Sequence, residues 1–143
     1  MSKIEFQDIV RQFVLMIPAA NAALRGVPDR PRLDFEAWPD RDSDLYDFFP
    51  MAFVRPILLP ELNKEPVDRE VLIACFEFIE GLANNEDDYI QGALYFEIYE
   101  QFLSGRDVMA KALEFSLPVT RSSLIRMLTE DYPETLREFD LKI

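Results

Sequence analysis

The sequence predicts an all-α protein, a compact irregular array of about six helices forming one domain over residues 1–143. Two observations lead there. Apolar residues recur at three- and four-residue spacing in stretch after stretch, and nowhere does a period of two persist. The length of 143 residues suits one domain, and 49% hydrophobic with 29% charged residues is ordinary globular usage, unlike that of a disordered chain.

The elements follow in order. Ser2-Lys3-Ile4-Glu5 has the form of a capping box, and Phe6, Ile9, Val10, Phe13, Val14 and Ile17 then repeat at helical spacing. Pro18 must kink that helix or begin another, because proline has no N–H to donate to residue 14. The helical pattern continues over 19–25, and Gly26 is a natural stop. Residues 27–43 hold Pro28, Pro31 and Pro39 among Asp and Arg, and read as a long surface loop. From Asp44, Tyr46, Phe49, Phe53 and Ile57 are again helical in spacing. Pro50, Pro56 and Pro60 divide the stretch into two short kinked helices.

Pro66 suits the first turn of the next helix, which runs to about Ala83. Leu72, Cys75, Phe76, Ile79 and Leu82 share its apolar face, with Glu70 and Glu77 opposite. Asn84-Asn85 makes a tight turn. Glu86 or Asp87 then opens a helix that reaches about Ser104, capped by Gly105. Tyr95, Phe96, Tyr99 and Phe102 form one stripe of that helix, and Ile90 and Leu94 lie on another side. A helix apolar on two sides is packed on two sides, which puts this one at the centre. A helix over 107–115, a break at Pro118, a helix over 121–128 capped by Thr120, and a short element over 133–139 complete the chain.

The charge is uneven. Asp and Glu total 27 against 15 Lys and Arg, a net of −12. Residues 70–105 carry eight acids and no base, so a quarter of the chain holds two thirds of the net charge. Such a field repels phosphate backbones, which excludes direct nucleic-acid binding and favours basic partners or metal cations. The bland alternative is a solvated acidic face that serves solubility alone. No apolar run approaches the ~18 residues that span a bilayer, and the N-terminus has no basic segment followed by an apolar one. With one cysteine, Cys75, and no such signals, the expectation is a cytoplasmic protein without membrane contact.

Histidine is absent, which removes His-based triads, His-ligated zinc and His general bases together. Cys75 lies on an apolar stripe and reads as a small buried hydrophobe, and Ser122-Ser123 has no histidine to activate it. Asp40-Arg41-Asp42-Ser43-Asp44 begins like a calcium loop. However, Leu45 and Met51 stand where the loop needs its glycine and its bidentate glutamate, so no site is assigned. Trp38, in Phe35-Glu36-Ala37-Trp38-Pro39, either anchors a partner or pins the long loop to the core. The candidate partner-binding residues are Glu77, Glu86, Asp87, Asp88 and Glu97, with a second group in Trp38, Asp40, Asp42, Asp44 and Asp47. No catalytic residue, cofactor or metal ligand is assigned.

Phe76-Glu77-Phe78-Ile79-Glu80-Gly81-Leu82 recurs twenty residues later as Phe96-Glu97-Ile98-Tyr99-Glu100-Gln101-Phe102. One helix and a tight turn take up that offset, so the copies would form an antiparallel hairpin over 66–104, the unit of an α-solenoid; the alternative is two amphipathic helices with similar packing demands and no true repeat. The echo also supplies two Glu-x-x-Glu pairs, Glu77 with Glu80 and Glu97 with Glu100. Over 77–100 this resembles the all-α nucleoside triphosphate pyrophosphohydrolases, a resemblance that implies Mg²⁺ held by the two pairs. It departs from that family where Glu100 replaces an Asp and where no Lys or Arg is present to hold a triphosphate.

The helical pair 66–104, with Phe76-Glu77-Phe78-Ile79-Glu80 and its echo at 96–100, also resembles the small acidic all-helical immunity proteins of bacterial polymorphic toxin and contact-dependent growth inhibition systems. That resemblance implies a non-enzymatic protein that binds a cognate toxin domain and blocks it. The physics agrees. A toxin that attacks nucleic acid needs a basic cleft, and a surface of carboxylates and aromatics can fill one. Binding is thus the expectation. The alternatives are the Mg²⁺-dependent pyrophosphohydrolase and a helical-repeat adaptor.

Overall fold

The computed structural model describes residues 5–17 and 44–143. Among these residues seven helices follow one another and no strand occurs, which is the predicted class. Ser2, Trp38, Asp40, Asp42 and the helical pattern of 19–25 lie outside the described residues.

Helix α1 (Phe6–Met16) starts after Glu5, whose backbone N–H donates to the Asp8 carboxylate at 3.4 Å. Its buried residues are Ile9, Val10 and Phe13, with Ile17 just beyond its end. Their spacing is the one read from the sequence.

Helix α2 begins as an α-turn (Leu45–Phe48), widens into a π-helix (Phe49–Leu58) and closes as an α-turn (Leu59–Leu62). The expectation of two short kinked helices is therefore corrected: the chain stays helical through Pro50, Pro56 and Pro60. A proline ring clashes with the carbonyl four residues back and leaves it without a donor. The wider π winding, bonded from i to i+5, accommodates that mismatch without ending the helix. Lys111 Nζ donates to the carbonyl of Leu62 at 3.0 Å and so satisfies the end of α2.

Helix α3 (Arg69–Ala83) starts three residues later than Pro66 suggests, because Asp68 caps it by accepting from the N–H groups of Glu70 and Val71. The predicted face of Leu72, Cys75, Phe76, Ile79 and Leu82 is buried, and so is Phe78 on the other side. Phe78 joins Phe13, Phe48 and Phe53 in the aromatic centre of the core. The Phe13 ring lies 5.2 Å from Phe48, 5.6 Å from Phe53 and 5.6 Å from Phe78, and Phe53 meets Phe78 edge-on at 5.4 Å. Since α3 packs against α1, α2, α4 and α5 as well as the penultimate helix, it is the central helix. The expectation that 86–104 occupies the centre is corrected. Burial pushes the Cys75 thiol up to about 12, consistent with an inert core side chain.

Helix α4 (Asp88–Glu97) runs back antiparallel after a turn of four residues, and Gln91 ties the turn by donating to the carbonyls of Leu82 and Ala83. The helix predicted to reach 104 instead breaks at Ile98, and Tyr99–Ser104 wind as a 3₁₀ segment. This break corrects a second expectation. Ile90, Leu94 and Ile98 are buried at steps of four, and Tyr99 and Phe102 at a step of three, each matching its own winding. Phe96, expected in the same buried stripe, is 51% exposed. The change of winding turns Tyr99 and Phe102 inward and leaves Phe96 outside.

Helices α5 (Arg106–Phe115), α6 (Pro118–Arg126) and α7 (Pro133–Phe139) close the chain, with a π-turn at Met127–Asp131 after α6. Thr120 does not cap α6 as expected. The helix starts at Pro118, and the Glu80 carboxylate from α3 accepts from Val119 N–H (2.9 Å), Thr120 N–H (2.8 Å) and Thr120 hydroxyl (2.8 Å). A side chain from another helix thus supplies both the acceptors and the negative charge that an N-terminus needs.

Candidate functional site

The two predicted acidic groups come together in part. Asp44 and Asp47, at the start of α2, and Glu97, at the end of α4, are brought near one another where these elements pack, and burial first, with these charges adding to it, raises the Glu97 carboxyl above its usual range. Partial burial is the larger cause. Asp47, Asp44 and Glu100 add repulsion, against which the Arg55 guanidinium acts. Asp44 is half-buried because it caps α2, accepting from Asp47 N–H at 3.2 Å, whereas Asp47 is exposed.

Aromatic residues floor this face. Tyr46 and Tyr89 have ring centroids 5.8 Å apart, and the Tyr89 hydroxyl oxygen accepts from Leu45 N–H at 2.9 Å. Gly92 permits the approach: a Cβ there would stand 2.7 Å from the Tyr46 hydroxyl. Tyr89 and Phe96 are two helical turns apart on one side of α4, 43% and 51% exposed. Burial is the main cause of the raised Tyr89 hydroxyl, reinforced by Asp44 and Asp47.

The other candidates are placed individually. Glu86 and Asp88 are exposed at the α3–α4 turn. Asp87 is half-buried and serves as the cap of α4, accepting from Tyr89 N–H (2.8 Å) and Ile90 N–H (3.2 Å). Glu77 is exposed on α3 and is not among the charges that act on Glu97.

The Glu-x-x-Glu pairs are divided by their partners. Glu80 is engaged with the start of α6, and Glu100 accepts from the Tyr132 hydroxyl. Among the described residues no three acidic or cysteine side chains gather to hold a metal ion. The echo is likewise unequal in packing: Phe76 is fully buried where Phe96 is exposed, and only the second copy breaks.

Sequence reasoning missed Tyr46, Tyr89, Phe96 and Arg55 as members of this face. A signal did exist for Phe96. It lies two residues beyond Leu94, about 200° around the helix from the Ile90–Leu94 side. No protein-family model matches the chain, and neither a curated protein nor a solved structure does. No helix among the described residues is long and apolar enough to cross a membrane.

One consequence is thermodynamic. A carboxyl with a raised folded pKa binds its proton more readily in the folded state, so its ionisation weakens the fold as pH rises through that pKa. Glu97→Gln removes the ionisation. In urea denaturation it should therefore leave the protein equally or more stable at pH 7, by less than ~1 kcal/mol, with the gain shrinking as pH falls through the carboxylate range. A clear loss at pH 7 would mean that the Arg55 attraction outweighs burial and repulsion.

Proposed function

We propose that this chain is a non-enzymatic binding protein that captures a basic protein partner on the face formed by α2 and α4, and that it serves as a cytoplasmic immunity protein blocking a cognate toxin domain. The observation that supports this most is the convergence of Asp44, Asp47 and Glu97 beside exposed Tyr89 and Phe96. Carboxylates from elements some fifty residues apart are gathered there with Arg55 offsetting them in part, and a partner's Lys or Arg would supply further counter-charge. Opposite charge of this kind raises association rates by ~10–10³-fold at low salt, and buried aromatic anchors slow dissociation.

The test uses a cognate toxin domain sought beside this chain's gene, with association followed by stopped-flow fluorescence. Asp47→Lys with Glu97→Lys should slow capture by at least ~10-fold at low salt and flatten its salt dependence. Phe96→Ala should instead speed release. Asp87 is left unaltered, because loss of its cap would cost about 1 kcal/mol of stability and confuse the reading. If neither variant changes binding by a factor of two or more, this face is not the contact.

A further inference from the structure

A concave site lies on the adjoining side of α4, next to the acidic face, where the Tyr95 ring meets that of Phe96 edge-on at 5.2 Å. A cleft of about 180 Å³ opens between the α4–3₁₀ segment and the π-turn after α6, and Tyr95, Tyr99, Ser123, Arg126, Met127 and Asp131 are among its lining residues. Tyr99 and Met127, 2% and 1% exposed, form its floor. The volume is close to that of a cavity that holds a benzene-sized molecule.

Three features mark the cleft as more than a surface dent. First, the π-winding determines what lines it. In an α-helix residues five apart diverge by about 140°. The turn closed by Tyr132 N–H to the Met127 carbonyl (3.0 Å) takes an extra residue, and so brings Arg126 and Asp131 to the same side. Second, these opposite charges do not pair with each other. Among the described residues Arg126 makes no ion pair, and Asp131 accepts from the Tyr95 hydroxyl, which leaves its other lone pairs free. Third, the Tyr99 hydroxyl is shut off from solvent near the Thr120 and Ser123 hydroxyls, with no hydrogen bond of good geometry to either. A buried polar group without a partner is uncommon in a folded protein and calls for an explanation.

We infer that this cleft binds a small zwitterion of the free α-amino acid class, its carboxylate held by Arg126 with a hydroxyl donor from Ser123, which the buried Tyr99 hydroxyl backs from behind, and its ammonium by Asp131. A guanidinium presents a fork matched to a carboxylate, and a carboxylate already oriented by a tyrosine is a ready acceptor for an ammonium. The site shares no residue with the proposed partner face, and although Tyr95 touches Phe96, the two tests use different substitutions and ligands, so either can fail alone.

The test is ligand-detected NMR and calorimetry on the full chain with the twenty free amino acids, using acetate and methylammonium as single-charge controls. At least one amino acid of small or extended side chain should bind at least tenfold more tightly than either control. Arg126→Gln and Asp131→Asn, both at exposed positions, should each weaken it at least tenfold while circular dichroism stays unchanged. Ser123→Ala should weaken it less. Failure of every amino acid to bind, equal binding of acetate, or binding that survives both charge substitutions would overturn the assignment.

Discussion

Phe13→Ala is expected to destabilise the protein by ~3–5 kcal/mol, measured as the change in urea unfolding free energy. Phe13 is fully buried, and its ring contacts those of Phe48, Phe53 and Phe78, which come from α2 and α3. Its removal deletes apolar area and leaves a cavity where three helices meet, and each lost edge-to-face pair adds to the cost. The comparison that gives this number meaning is Phe76→Ala against Phe96→Ala. These residues occupy equivalent places in the twenty-residue echo, yet the first should cost ~3–5 kcal/mol and the second under ~1 kcal/mol. Equal losses would show that α4 is turned the other way. A loss below ~1 kcal/mol at Phe13 would mean that α1 is not docked on the core.

What the sequence made legible follows from which forces act locally. The buried positions of α1 and the apolar face of α3 were readable because helical periodicity and core burial coincide there. Phe78 was not readable. It lies off the stripe of Leu72, Cys75 and Ile79, and it is buried only because α1 and α2 cover the far side of α3. The continuity of α2 was hidden for a different reason. Proline is a strong local signal for a break, and only the apolar burial along Phe49–Leu58 holds the chain helical in a wider winding. The break at Ile98 had no proline or glycine to announce it. It reconciles two apolar patterns, a step of four before it and a step of three after.

The candidate face was legible as charge but not as shape. The base-free run over 70–105 identified Glu97, and the Asp-rich stretch identified Asp44 and Asp47. Their convergence depends on α2 packing against α4, a contact between distant parts of the chain. Composition also could not tell which carboxylates are already engaged. Asp44 and Asp87 cap helices, and Glu100 accepts from Tyr132, so only part of the acidic count remains available to a partner.

Glu80 is the strongest case of an engaged carboxylate, and Glu80→Ala is expected to cost about 3 kcal/mol. It accepts from two backbone N–H groups and one hydroxyl at the start of α6, where no residue of α6 itself provides a side-chain cap. Hydrogen bonds to a charged acceptor contribute ~1.5–3 kcal/mol each, and Thr120, fully buried, would be left with an unmet N–H and hydroxyl. Partial access of water at Val119 holds the total below a simple sum. Glu80→Gln keeps a single carbonyl acceptor and should lose about half as much. Glu77→Gln, three residues earlier on the exposed side of α3, should change stability by under ~0.5 kcal/mol. The contrast separates the two roles open to a Glu-x-x-Glu pair. Carboxylates gathered to hold a cation repel one another when it is absent, so neutralising one would stabilise the metal-free protein, whereas a carboxylate that latches a helix is missed at once. A gain in stability from Glu80→Gln without added metal would therefore overturn the latch and reopen the cation reading of both pairs.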